Sequence, residues 1–368
     1  MRKYDVAAYV WPAYTGDELR NHIFWQEGFG EWQTVKNSAP KENGYHWTRK
    51  PIWGYVNEAD SAVMEMEIEQ ASKHGVNVFI YDWYWFDGRP FQEQCLNNGF
   101  LKASNRDKMK FYLMWANHTA NQFWNIQVSD EESCDIWDGA VHRERFDEVV
   151  DRVISKYFKE DTYYKINGKP VFMIYDINNL IRGLGGIENT KAALESFRAK
   201  TKAAGFPDLE LQMTIWREDT LNLSGFDATH VGSTKDFVEL LGFDSVTHYQ
   251  FAHFCNMGSD YLDLLKCADK EWKRIDGEYS VPYYPHVSIG WDNNLRFRNF
   301  HGDITYNNGP ENFKKGLQMA KEYLDRHPEQ APLVTINSWN EWTEGSYLEP
   351  DDLYGYGYLD AVKDVFCK

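Results

Sequence analysis

Two glutamates, Glu341 and Glu344, stand three residues apart in the stretch VTINSWNEWTEGSYLEPDD (334–352), set among tryptophans and an asparagine. Chemistry on a glycosidic bond needs one carboxyl to protonate the leaving oxygen and usually a second to act as base or nucleophile. Side chains three apart on a helical turn share a face, which would bring these two carboxyls within about 5–6 Å. Crowded carboxylates removed from water push one pKa upward, keeping a carboxylic acid available near neutral pH. The plainer reading is that one of the two caps the following segment or pairs with an arginine.

The apolar run 333-LVTINSW that leads into the pair reads as a strand. Further runs rich in Val, Ile, Tyr and Phe precede it: 4-YDVAAYVW, 76-VNVFIYDW, 110-KFYLMWAN, 170-PVFMIYD, 209-LELQMTIW, 244-DSVTHYQF and 281-VPYYPHVSIGW. Helical periodicity falls between most of them, at 57–74, 90–104, 142–158, 187–204, 258–276 and 309–327, with shorter pieces near 233–241 and 356–366. This alternation predicts an α/β fold, a (β/α)8 TIM barrel, as a single domain over 1–368. A doubly wound open sheet is the alternative, but it usually carries a Gly-rich phosphate cradle after its first strand, where this chain reads WPAYTGDEL. The aromatic stretch 24–55 becomes an extended first βα loop at the barrel mouth, and loops of that length are usually functional.

In such a barrel the active site lies at the C-terminal ends of the strands. The second strand ends in Tyr81-Asp82-Trp83, the third in Trp115-Ala116-Asn117-His118, the fourth in Tyr175-Asp176 and the fifth in Trp216-Arg217-Glu218. The sixth gives His248-Tyr249-Gln250, the seventh Trp291-Asp292-Asn293, and the eighth Trp339-Asn340-Glu341-Trp342-Thr343-Glu344, with Glu349 shortly after. Each end pairs an aromatic with a hydrogen-bonding or charged group. Converging, they describe a pocket with stacking walls and many polar contacts, which is what a saccharide requires. Asp82, Asp176 and Asp292 could equally cap loops. Arg217 could bind a carboxylate or sulfate on a substrate through its planar fork, or pair with Glu218 or Asp219.

Composition narrows the ligand class. The formal charge is −17, from 39 basic against 56 acidic residues, which argues against nucleic acid or an anionic membrane as partner. Aromatic residues make up 16% of the chain, including 15 Trp and 23 Tyr, in keeping with an oligosaccharide or polysaccharide partner. No apolar run approaches the ~18 residues of a membrane span. The N-terminus enters a strand almost at once, so the chain as written reads as cytoplasmic, or as periplasmic or secreted if a leader has been removed. Five scattered cysteines with no CxxC suggest neither a disulfide framework nor a zinc cluster. His248 and His253 are five apart and no HExxH or GxSxG occurs, so metal-dependent hydrolysis and a serine elbow find little support.

Several ordered motifs together resemble a known group. WNEWTEG followed by YLEPD is similar to the carboxylate motif of glycoside hydrolase family 99, the endo-α-mannosidases, and closer still to the related WbsX-like group, which is labelled glycosyltransferase. Gly28-Phe29-Gly30-Glu31-Trp32 resembles that group's GFTEW, Tyr84-Trp85-Phe86-Asp87-Gly88 its YWF-(N/D)-G, Trp115-Ala116-Asn117 its WAN, and Gly290-Trp291-Asp292-Asn293 its GWDN. The resemblance implies a (β/α)8 barrel acting without metal or organic cofactor. It also implies separate roles for the pair in a retaining hydrolase. Glu341 would deprotonate the sugar's own 2-hydroxyl to form a 1,2-anhydro sugar, and Glu344 would be the general acid and then the base for water. The chain departs from the group where a Tyr-His pair is usual and Tyr81-Asp82 stands instead, and where ENWTRRW is usual and His118 to Trp124 read HTANQFW. Two other functions remain open on the sequence: a glycosyltransferase of polysaccharide assembly, and a non-catalytic carbohydrate-binding protein. The only Gly-rich candidate for a diphosphate site, Gly183-Leu184-Gly185-Gly186, lacks a neighbouring Lys-Ser/Thr.

Overall fold

The runs of β-branched and aromatic residues become eight parallel strands in the computed structural model, which describes residues 3–128, 135–217 and 232–367. They are β1 (Asp5–Val10), β2 (Val78–Phe86), β3 (Lys110–Trp115), β4 (Lys169–Ile174), β5 (Glu210–Thr214), β6 (Ser245–Thr247), β7 (His286–Ser288) and β8 (Leu333–Asn337). Each pairs with its sequence neighbour, and β1 also pairs with β8, with Asp5 opposite Leu333. A parallel bridge from Val246 to Tyr283, just ahead of β7, closes the ring. The fold is a (β/α)8 barrel. Because every barrel strand runs the same way, all eight C-terminal ends meet on one rim.

Among the described residues, helices α1 (Ser61–Lys73), α2 (Arg143–Val153), α3 (Ile187–Ala203), α4 (Thr234–Leu241), α5 (Tyr261–Glu278), α6 (Pro310–Arg326) and α7 (Gly357–Phe366) cover the sheet, and a shorter helix, Ile177–Leu184, precedes α3. Their starts follow ordinary capping chemistry. Asp60, Ser233 and Asp260 each accept a backbone N–H of the first turn, and Pro310 occupies the first turn of α6, where its missing N–H costs nothing. On α2 the buried Phe146, Val149, Val150 and Val153 recur at helical spacing and face the sheet. The helix expected over 90–104 is replaced by a short wide-turn segment, Cys95–Gly99, and a 3-10 turn, Phe100–Lys102. Asn97, Asn98 and Gly99 are poor helix formers, which accounts for the break. No helix among the described residues is long and apolar enough to cross a membrane.

Polar residues fill part of the barrel interior. Tyr112 donates to Gln212 at 3.1 Å, and Thr335 meets both Thr247 (3.0 Å) and His286 (2.9 Å). The long first loop is folded onto the rim, with Phe24, Trp25, Trp32 and Trp47 buried. An antiparallel bridge from Pro51 to Asp351 ties it to the segment after β8. One sequence expectation is corrected here: Cys255 and Cys267 are disulfide-bonded, their Cα atoms 6.1 Å apart. The bridge links the loop after β6 to α5. Scattered spacing concealed it because the turn between loop and helix brings the two cysteines together.

Candidate active site

The segment after β8 carries the glutamate pair into the rim in a single 3-10 turn, Trp342–Glu344. Glu341 donates its backbone N–H to Ser338 Oγ at 2.7 Å, and the turn ends at Gly345, whose φ of 62° suits glycine. A Cβ there would also press on Asp292 at 3.0 Å, next to the point where the Asp292 N–H donates to the Glu344 carbonyl (2.6 Å). The same device recurs in the first loop. Gly30 sits at φ 59° with no room for a Cβ against the Ala13 carbonyl, and so turns Glu31 inward.

Arg296, three residues beyond Asn293 in the loop after β7, joins these carboxylates. It is buried and donates to Glu31 Oε1 (3.0 Å), Glu344 Oε1 (2.7 Å) and Glu341 Oε2 (3.3 Å). Burial works against its charge, but Glu31, Glu344 and Glu341 hold its pKa well above the ordinary value. Trp11, at the end of β1, donates its indole N–H to the other oxygen of Glu31. Burial raises the Glu341 pKa well above the usual carboxylate range, reinforced by the Glu344 charge and opposed by Arg296. Glu344 is raised too, by burial, again against Arg296. A buried pair with displaced pKa values is the electrostatic arrangement that acid–base chemistry requires.

A cavity of about 630 Å³ opens above the pair and draws on every strand end. Of the residues expected from the sequence, Glu341, Glu344, Asp82, His118, Asp176, Trp216, Tyr249, Trp291 and Asn293 line it. Trp11, Tyr84, Trp124, Tyr175 and Arg296 join them. Burial pushes the imidazole of His118 down to about 4 and that of His253, stacked on Trp216 at 3.7 Å, down to about 3. Both rings are therefore neutral near pH 7, and among the described residues that line the cavity Arg296 is the cationic side chain.

Other expected site residues are not brought to the cavity, mostly because side chains alternate across a strand. Trp83 points outward beside Asp82 and donates to Glu93 (2.8 Å), Trp115 packs on Phe146, and His248 meets Tyr283 (2.9 Å) behind β6. Asn117 braces the Asp176 backbone from the side, at 2.7 and 2.8 Å. Asp292 accepts from Tyr45 (2.7 Å) and caps the turn at Asn294. Arg217 is exposed and does not line the cavity, and Glu218 lies outside the described residues.

Trp339, Asn340, Trp342 and Glu349 have a different place, immediately behind the pair. Trp339 donates to Glu67 (3.1 Å), Asn340 to both oxygens of Glu58 (2.9 Å), and Trp342 to Glu349 (2.5 Å). These three carboxyls are buried, with one oxygen of each within 4.8 Å of the others. Burial and mutual repulsion raise Glu58 and Glu67 well above the carboxylate range, and burial lifts Glu349 to about 8. The motif thus hangs Glu341 between side chains anchored to a buried acid cluster. Trp342→Phe removes the donor to Glu349, whose other oxygen has no partner among the described residues. A loss of about 1–3 kcal/mol in denaturant unfolding is expected, since a buried polar group then goes unsatisfied.

Sequence reasoning missed Arg296 and the inward role of Glu31. Glu31 stood inside a recognised motif, GFGEW, while an arginine in a polar loop carries no mark of where it returns. Trp11 did carry a signal, because it ends β1 as an aromatic, like the other strand ends.

Residues 6–362 match the family model described as Glycosyltransferase WbsX. The chain belongs to the WbsX family. Two curated relatives, both called uncharacterized protein WxcX and from strains of Xanthomonas campestris pv. campestris, are 26% identical over 351 residues. The match takes in 95% of this WbsX-family chain and 48% of each relative, so the chain spans about half the length of the curated relatives it matches. Among solved structures, the family 99 endo-α-mannosidase of Bacteroides thetaiotaomicron superposes with a TM-score of 0.63 at 13% identity, covering 99% of this chain and 97% of that one. A glycoside hydrolase-like protein gives 0.60 at 17% identity, over 100% and 94%. At these identities the likeness establishes a shared barrel between the WbsX chain and glycosidases of family 99.

Proposed function

We propose that this protein is a retaining glycoside hydrolase acting on a complex polysaccharide or glycan, with Glu341 as base and Glu344 as general acid. The observation that carries the reading is the buried Glu341–Arg296–Glu344 arrangement at the floor of an aromatic-walled cavity. Arg296 bonds one oxygen of each carboxyl, and Glu344 Oε2 has no partner among the described residues. A proton on that oxygen can pass to a leaving glycosidic oxygen. Glu341, held by Tyr249 (3.0 Å) and Arg296, then takes the proton of the sugar's 2-hydroxyl, which attacks the anomeric carbon and gives a 1,2-anhydro sugar. Water opens that ring with Glu344 as base, and Glu341 returns its proton to the sugar's 2-oxygen. Trp11, Tyr84, Trp124 and Trp216 supply faces on which sugar rings stack.

The family description favours a second reading, a glycosyltransferase of polysaccharide assembly. Against it, Gly185 and Gly186 form the turn between two helices, and neither lines the cavity. Incubating the protein with a panel of oligosaccharides and, separately, titrating nucleotide sugars by calorimetry divides the two. New reducing ends from the panel support hydrolysis; tight nucleotide-sugar binding with no cleavage overturns it. The Cys255–Cys267 bridge supports a periplasmic or secreted location, because such bonds persist in oxidising compartments. Recovery of the linked peptides from a non-reduced digest of protein purified from its own host is the expected result.

A further inference from the structure

The Tyr249 hydroxyl lies 2.9 Å from Asp82 Oδ2 and 3.0 Å from Glu341 Oε1. A phenol has one proton to donate, so it can satisfy only one carboxylate. Two ionised carboxylates against one hydroxyl would leave a 3.0 Å oxygen pair with no hydrogen between, in a buried site where such repulsion is strong. One of the two carboxyls therefore carries a proton and donates it to the Tyr249 oxygen.

The surroundings decide which one. Glu341 has the Arg296 guanidinium at 3.3 Å. Asp82, 3% exposed on the inward face of β2, is surrounded by the phenols of Tyr9, Tyr84, Tyr175 and Tyr249 and by the carboxyls of Glu341 and Glu344. No cationic side chain bonds it among the described residues. Its second oxygen, Oδ1, is buried without a partner among the described residues, on a residue that lines the cavity. We infer that Asp82 is held as the neutral carboxylic acid, donating to Tyr249, which in turn donates to an ionised Glu341, and that Asp82 Oδ1 accepts a hydrogen bond from a hydroxyl of the bound sugar. Asp82 is thus both a positioning residue for the base and a specificity determinant. The inference rests on the hydrolase reading only for its sugar contact. Burial, with the Glu344 charge added, moves the Asp82 carboxyl in the required direction, well above the usual range.

Infrared difference spectroscopy reads the proton directly and needs no substrate. The spectrum of wild type minus Asp82→Asn at neutral pH should contain the carbonyl band of one protonated carboxylic acid; other buried acids cancel in the difference. Tyr249→Phe should keep that band and move it to higher frequency, because the acid loses its acceptor. A difference spectrum with only carboxylate bands overturns the inference, whatever the protein's activity. The sugar contact is tested on a glycan that the panel finds cleaved. Asp82→Leu, which loses both donor and acceptor, should raise KM by about 10- to 100-fold, the worth of one buried hydrogen bond, and the conservative Asp82→Asn, which preserves a donor and an acceptor, should recover most of that loss. A collapse of kcat in Asp82→Asn, with normal thermal stability, would mean that Asp82 works as a carboxylate and would sink the proposal.

Discussion

Arg296→Met is expected to destabilise the protein by about 3–5 kcal/mol, because it strands buried carboxylates without their cation. The guanidinium, on the loop after β7, holds Glu31 from the loop after β1 to Glu341 and Glu344 from the segment after β8. Methionine keeps much of the side-chain volume, so the loss reports charge and hydrogen bonding more than a cavity. The pH dependence follows from the raised values of Glu341 and Glu344. Between the unfolded glutamate value of about 4.3 and the raised folded values, the folded protein holds protons that the unfolded chain has released. Stability therefore falls as pH rises through that window. Without Arg296 the folded values climb further and the fall extends to higher pH. The gap between wild type and variant should be small in acid and widest above neutrality in thermal unfolding series. A constant gap across the series would mean that packing, not charge, is what Arg296 contributes.

Glu344→Gln should lower kcat by about 10²–10⁴ on a natural glycoside, the usual worth of a general acid. On an aryl glycoside whose phenolate leaves without a proton, that loss should shrink sharply. Glu341→Gln should be equally damaging on both substrates, since the sugar hydroxyl must still be deprotonated whatever the leaving group. Glutamine retains the size of each side chain, so folding should survive. The acidic limb of the wild-type pH–rate profile should belong to the base and the alkaline limb to the acid, both displaced upward by burial. Equal rescue of the two variants by the activated leaving group would remove the separate roles assigned to them.

The barrel was legible because it is written in local periodicity. Apolar runs alternating with helical stretches put all eight strands within a few residues of their observed bounds. The failure at 90–104 came where Asn97-Asn98-Gly99 weakened a helix that hydrophobic spacing alone suggested. Strand ends were legible for the same reason, but which side of the wall each side chain faces was not. Tyr81, Asp82 and Trp83 read as one polar-aromatic cluster, yet only Asp82 faces the cavity, because a period of two sends its neighbours the other way. Trp339, Asn340 and Trp342 were read as sugar contacts and instead brace the motif against Glu58, Glu67 and Glu349. Glu58 and Glu67 lie far off in sequence, and nothing in a single sequence pairs them with Asn340 and Trp339.

By itself, then, the sequence determined the barrel, the rim on which chemistry would occur, and the two glutamates, since each depends on residues near one another in the chain. The tertiary structure alone decided what surrounds those glutamates, and with it the direction in which their pKa values move. Arg296 reaches them from the β7 loop, Glu31 from the first loop and Asp82 through Tyr249 from across the barrel. A carboxyl's protonation is fixed by what lies within a few ångströms and by how much water is excluded, and both are set by chain closure rather than by neighbours in sequence.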